Sequence, residues 1–295
     1  MKKLLNTASE ESIYNSLAEI VGMNKEYIKH YIVKYGIEII KESTADSIDL
    51  SEFLNFLSRY NKDLDRTLDF DGITLSHLTT RTSIIHNQQL FNLFNALIQD
   101  TELKEFLKNE GIVFELVGKK LKTIYNGKLV DWAIYFDGDW GPTARMVNNR
   151  LEGNSKGVTD KCVNGFLFNS DIHKHRNVSH IARLPEILEN ILRILGCASA
   201  ISKWTISAKP YVITFKADVT NIIFDEDRKH TLNNKQKKKL LIKYCLYYLS
   251  ILRYSDWDED DNPIIRLKDE LSVPVSDILN IRLLDNQRRT IQHIT

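Results

Sequence analysis

The sequence predicts an α+β fold, with a helical N-terminal domain over residues 1–68 and a mixed α+β domain over residues 69–295. Three observations carry this reading. Apolar residues recur at helical spacing through residues 9–60. Short β-rich runs begin after the Asp71-Gly72 turn. Amphipathic helical segments then return between those runs, the longest at 232–254. A chain of 295 residues can bury a proper core as one large domain or two modest ones. Its 43% hydrophobic content and net charge of +1, from 40 Lys+Arg against 39 Asp+Glu, exclude a disordered chain and a surface wholly given to nucleic acid. Local basic faces remain open. Only 12 Gly and 5 Pro favour long regular elements.

The N-terminus, Met1-Lys2-Lys3-Leu4-Leu5, turns polar at Asn6 and lacks the apolar stretch of a signal peptide. No run reaches the length of a membrane span. Cys162, Cys197 and Cys245 are odd in number and far apart, which is neither a disulfide framework nor a thiolate zinc site. A reduced, cytoplasmic protein with no membrane partner is expected.

Ser9 ahead of Glu10-Glu11 is a helix start, and Ile13, Leu17, Ile20 and Val21 follow at helical spacing. Ala18, Gly22 and Ile28 then match a helix-turn-helix: a small residue at the close approach, a glycine in the turn, an aliphatic plug in the second helix. That reading sets Asn24, Lys25, Lys29 and His30 against DNA; the preferred one is a helical domain that simply packs. Residues 43–60 give another amphipathic helix, with Leu50, Phe53, Leu54 and Leu57 on one face. Ile73–Thr79 reads as a strand, 83–110 as helical, and Ile112–Val117 with Leu121–Tyr125 as a hairpin about Gly118-Lys119-Lys120. A further strand is expected over 129–136, a long loop over 137–160, a strand over 163–168, and a helix over 185–195 with Pro185 in its first turn. Strands at 211–215 and 222–224 precede the helix at 232–254.

Dinucleotide-fold, P-loop and zincin signatures are missing from the sequence. Gly153-Asn154-Ser155-Lys156-Gly157 matches G-x-S-x-G by letter, but its polar flanks are not the strand and helix of a nucleophile elbow. His173, His175 and His180 lie close in sequence without a carboxylate or thiolate at matching spacing, so a solvated basic loop is expected rather than a metal site. Arg81 and His86 have the R-x4-H spacing of metal-independent helical RNases, in which the histidine takes the ribose 2′-hydroxyl proton. Lys235–Lys239 and Lys243 make one helix end basic, able to meet phosphate or simply solvated. The acidic stretch Asp256–Asp261 is a candidate counter-charge to it.

Three segments remain: His77-Leu78-Thr79-Thr80-Arg81, Val163-Asn164-Gly165-Phe166-Leu167-Phe168 and Arg183-Leu184-Pro185-Glu186-Ile187-Leu188. A polar strand, a Gly-aromatic strand and a carboxylate in this order resemble ADP-ribosyltransferases of the diphtheria-toxin, DarT and poly(ADP-ribose) polymerase branch. That branch includes bacterial toxins that modify nucleic acid. The stretch from Leu75 to the end is also similar to bacterial and prophage proteins sharing an "HLTTS … RPEIL" pattern, a resemblance that brings no activity with it.

The first resemblance implies an ADP-ribosyltransferase-like domain over 69–295, with NAD as substrate. His77 is then the ribose contact and Thr79 helps place the nicotinamide end; the two lie on one strand face. Phe166 or Phe168 is the ring that stacks on nicotinamide, where the family has tyrosine. Glu186 is the catalytic carboxylate, with Glu226 as its rival, because the family glutamate begins a late strand. Arg81, Arg150 and Arg183 are candidates for the pyrophosphate. The partners implied are a nucleic-acid or protein acceptor and an antitoxin or phage component, in a toxin or phage-defence setting. Two alternatives stand beside this: a metal-independent RNase using Arg81 and His86, and a non-catalytic regulator that binds DNA or senses a phage component.

Overall fold

The computed structural model describes residues 3–41, 44–83, 89–153, 161–176, 179–224 and 231–284. A short strand, β1 (Leu4–Leu5), leads into α1 (Glu10–Val21), α2 (Lys25–Lys41) and α3 (Leu50–Leu57). Ser9 Oγ accepts the Ser12 N–H, and the Asp49 carboxylate accepts that of Ser51, so a short polar side chain caps the start of α1 and of α3. Gly22 takes the left-handed conformation that ends α1, at φ 69°, and Ile28 is fully buried behind it. The tight turn between two helices therefore forms where the Ala18–Gly22–Ile28 spacing places it.

Strand β2 (Gly72–Arg81) is followed by α4 (Leu93–Ile98) and α5 (Glu102–Asn109), then by the meander β3 (Ile112–Val117), β4 (Lys120–Tyr125) and β5 (Lys128–Leu129). Next come α6 (Gly141–Glu152), β6 (Asn164–Phe166), α7 (Glu186–Ile194), α8 (Ala198–Ser207), β7 (Lys209–Asp218) and β8 (Ile222–Phe224). The chain closes with α9 (Asn234–Tyr254), β9 (Ile264–Leu267) and β10 (Ile278–Leu283). The fold is α+β. Among the described residues no helix is long and apolar enough to cross a membrane.

Three expected elements are corrected. The helix expected over 83–110 contains two short helices, because Asn92 and Thr101 each cap a new start and break the run. The strand expected over 129–136 becomes a 3-10 turn at Trp132–Tyr135, begun when the Asp131 carboxylate accepts the Ala133 N–H; Trp132 is buried there. The loop expected over 137–160 contains α6. Its glycines lie at the helix ends, Pro142 sits in the first turn, and Ala144, Val147 and Leu151 form a buried stripe.

The main sheet runs β10-β7-β2-β6-β9-β8, with β1 parallel to β2. Its spine is the antiparallel ladder of β2 and β7, paired from Gly72↔Asp218 to Arg81↔Lys209. Gly165 of β6 lets the sheet close on this spine: a Cβ there would stand 3.0 Å from the Leu75 Cβ. The helices α1, α2, α3 and α9 and the sheet share one hydrophobic core, in which Leu17, Ile32, Phe53, Ile73, Phe215 and Leu246 are all buried. Among the described residues this core runs continuously across the boundary expected at residue 68, with Leu64, Leu68 and Phe70 all in it. A second core lies in the chain between β2 and β7, where α4–α8 and the meander bury Leu121, Trp132, Leu188 and Trp204.

Phe53→Ala is expected to lower the stability of the whole chain by about 3–5 kcal/mol, the usual cost of deleting a buried ring. Thermal unfolding followed by far-ultraviolet and by tryptophan signals should shift together. A melt in which the N-terminal helices unfold ahead of the sheet would contradict the shared core.

Candidate functional site

β2 carries the polar residues of the site because its far end runs past the helical core. Ile73 and Leu75 enter that core, and His77, Thr79 and Arg81 follow on the same face by strand alternation. These three line a cleft of about 230 Å³ between the sheet and the second core. Arg150 of α6 enters the same cleft, as do Pro185 and Ile187 on either side of Glu186. Leu90, Phe91 and Trp204 give it apolar walls. Trp204 is held in place by its indole N–H, which donates to Thr80 Oγ1 at 3.2 Å.

The His77 ring lies 2.7 Å through Nδ1 from the carbonyl oxygen of Asn164. A carbonyl can only accept, so Nδ1 carries the proton and the neutral ring keeps its Nε2 lone pair. Burial pushes the His77 pKa down to about 4; the Asn164 contact opposes this and the charge of Arg81 adds to it. At neutral pH the ring is therefore an uncharged acceptor. Burial also lowers the Arg81 pKa, partly offset by the carboxylate of Glu102. Arg150 forms an ion pair with Glu186 at 3.0 Å, and Glu186, the first residue of α7, occupies the helix position that favours negative charge. The cleft thus combines two guanidinium groups, a neutral imidazole, three threonines and the Glu102 carboxylate with apolar walls, and Glu186 joins it through its ion pair with Arg150 rather than as a lining residue. Such a set can bind a phosphate-bearing ligand and meet its hydroxyl groups.

Sequence reasoning missed Glu102, Phe91 and Trp204. Glu102 lines the cleft, and its Oε2 accepts from the hydroxyl groups of Thr82 and Ser83 and from the Ser83 N–H. Thr101 ahead of Glu102 is a capping signal that could have located this carboxylate at a helix start. Phe91 and Trp204 left no sequence signal, since only the return of the second core to the sheet brings them to β2.

The structure does not bring the other predicted residues to the cleft. Phe166 packs with Leu78, Ile172, Val212 and Leu284, its ring 5.1 Å from that of His175. Phe168 belongs to the main core and stacks on Tyr248 at 3.9 Å. The two rings were expected on one face. They part because β6 ends at Phe166, so strand alternation does not extend to Phe168, and neither supplies a stacking ring to this cleft. Arg183 pairs with Glu189 of α7 at 3.1 Å. Glu226 and His86 lie outside the described residues, as does most of the G-x-S-x-G run. That run is approached by α6 rather than by a strand.

The surface expected to face DNA carries its own counter-charges: Lys25 pairs with Glu11, and Lys29 with Glu26 at 3.0 Å. The His30 Nδ1 lies 3.3 Å from the Tyr60 hydroxyl and its ring meets the edge of Phe56.

The pH dependence of stability checks the lowered pKa of His77. The folded-state pKa lies below the ordinary 6.5, so between pH 6.5 and about 4 the unfolded chain binds the extra proton. Stability from this group is complete above that window and falls through it with acidification, by at most about 1.4 kcal/mol per pH unit. His77→Gln should flatten the dependence of melting temperature on pH in this window relative to the unmutated chain. Parallel curves would mean that His77 is protonated as readily folded as unfolded.

No protein family, curated protein or solved structure was found to match the chain.

Proposed function

We propose that the cleft at the end of β2 binds NAD as substrate and that the protein transfers ADP-ribose from it to a macromolecular acceptor, nucleic acid or protein. A bacterial toxin or phage-defence effector is the setting that fits such an activity. The observation that supports the reading is the convergence of His77, Thr79, Arg81 and Arg150 on one cleft, with Glu186 tied to Arg150 by an ion pair. At about 230 Å³ the cleft is small for a whole dinucleotide, so one half of NAD is enclosed and the other extends past the rim.

In this reaction the C1′–N bond breaks with its electron pair leaving on nicotinamide, and the ribose becomes oxocarbenium-like, as in glycoside cleavage. The acceptor nucleophile then bonds to C1′ and loses its proton. A carboxylate beside C1′ stabilises the developing charge. Glu102 already accepts several hydrogen bonds, whereas Glu186 is held by Arg150. Transfer of Arg150 to the pyrophosphate would release the Glu186 carboxylate towards the ribose. The neutral Nε2 of His77 would accept from a ribose hydroxyl. Phe91 and Trp204 offer the apolar surface that Phe166 and Phe168 do not.

The test is nicotinamide release from labelled NAD by the full-length protein with cell lysate, followed by partition of the label among DNA, RNA and protein. Glu186→Gln should reduce turnover by about 10²-fold or more. Arg150→Ala should raise KM for NAD more than it lowers kcat, as expected of a ground-state phosphate contact. The proposal fails if NAD neither binds nor loses nicotinamide in the presence of lysate.

A further inference from the structure

The cleft makes no use of the basic run at the start of α9. Lys235, Lys238 and Lys239 stand at i, i+3 and i+4 and share one helix face, whereas Lys237 turns inward and donates to the Ile222 carbonyl oxygen at 2.6 Å. With the segment that leads into β2, the three lysines enclose a concavity of about 620 Å³. Arg66, Thr67 and Asp69 complete its lining.

The charges here do not cancel. Asp69 is taken by Lys238, and the neighbouring Asp65 by Lys3 at 3.2 Å and by the Thr67 hydroxyl. Arg66 donates to Asn55 Oδ1 at 2.7 Å, a neutral acceptor that aims the guanidinium without offsetting its charge. Lys235 and Lys239 are exposed and, among the described residues, have no hydrogen-bond or ion-pair partner. Three cations thus remain at one concavity after its acidic groups are matched.

The rest of the lining selects among anionic partners. Among the described residues, no apolar or aromatic side chain lines the concavity. A protein partner draws its binding energy from buried aromatic and apolar anchors, and a membrane surface takes up an apolar face. A free nucleotide or an unpaired base stacks on a ring. A nucleic-acid backbone needs none of these, because lysine and arginine contacts to phosphate supply affinity without reading a base. Lys235 and Lys239 are separated by about 6 Å along the helix axis, which lets them meet neighbouring phosphates. The contact does not depend on the end of the helix itself, where the Asn233 side chain already accepts the Gln236 N–H.

We propose that Arg66, Lys235 and Lys239 dock a nucleic-acid backbone in this concavity, without regard to its sequence. The concavity lies beside Asp69, just ahead of β2, and the cleft lies at the far end of that strand. Ten residues at about 3.3 Å each set the two roughly 30 Å apart, a distance that about nine base pairs of duplex span. A docked nucleic acid, rather than a protein, is then the acceptor in the transfer proposed above. That role rests on the NAD reading; the docking does not.

Fluorescence anisotropy of labelled duplex DNA, and of single-stranded DNA and RNA of mixed sequence, titrated with the full-length protein in the absence of NAD, tests the docking. Three phosphate contacts predict that affinity for duplex falls roughly 40-fold between about 50 and 200 mM salt. Lys235→Gln combined with Lys239→Gln should weaken binding about ten-fold or more at the lower salt and reduce that fall to about 3-fold. Both lysines are exposed, so the variant should fold, and an unchanged melting temperature confirms that. Lack of binding to all three nucleic acids, a double variant that binds as tightly and with the same salt dependence as the unmutated chain, or tighter binding to phosphatidylserine vesicles than to nucleic acid would each overturn the proposal. Binding as expected, with no label passing from NAD to the bound nucleic acid, would uphold the docking and count against the NAD reading alone.

Discussion

The antiparallel ladder between β2 and β7 holds the rest of the molecule in place. The two strands are far apart in sequence yet paired over ten residues, from Gly72↔Asp218 to Arg81↔Lys209. Closing so long a loop is entropically costly, and the cost grows only slowly with length. The ladder offsets it by burying Ile73, Leu75, Ile213 and Phe215 in the main core. The intervening chain then has both ends anchored and builds its own core of α4–α8 and the β3–β5 meander. The cleft lies at the seam between the two cores. Its polar residues stand where β2 leaves the helical core, so strand geometry sets their spacing and the second core sets their depth.

Charge is distributed in a way that the near-zero sum conceals. Among the described residues the basic run at the start of α9 pairs away from the acidic stretch Asp256–Asp261. Lys238 pairs with Asp69, and Lys237 donates to the Ile222 carbonyl at 2.6 Å. The acidic stretch turns instead to the histidine-rich segment, where Asp260 accepts from the Arg176 backbone at 2.8 Å and pairs with its side chain. A basic segment expected to be solvated is thus fastened to the 3-10 turn at Glu259–Asp261, with His175 buried.

Legibility in the sequence followed the range of the interactions. The N-terminal helices, the β3–β4 hairpin, β7 and α9 are specified by neighbours a few residues apart, and their spacing announces them. The region from 83 to 160 carries weaker local signals. Helices α4 and α5 are short, and their starts are marked by single capping residues, Asn92 and Thr101, within an otherwise continuous apolar pattern. In α6 the glycines that mark a helix's two ends looked like the composition of a loop. The boundary near residue 68 is a real change in texture but not in packing, because α1–α3 find their apolar partners on α9 and on the sheet.

From the sequence alone came the α+β class, the helical N-terminal segment, and the placement of His77, Thr79 and Arg81 on one face of a strand. All of these rest on local periodicity, which the backbone enforces whatever the chain does elsewhere. Tertiary structure alone decided which residues meet those three. It brought Arg150 and Glu186 together across two helices, added Glu102, Phe91 and Trp204, and sent Phe166, Phe168 and Arg183 elsewhere. The physical reason is that a side chain's direction beyond its own element depends on where that element ends and on what the rest of the chain packs against it. No short-range pattern encodes either.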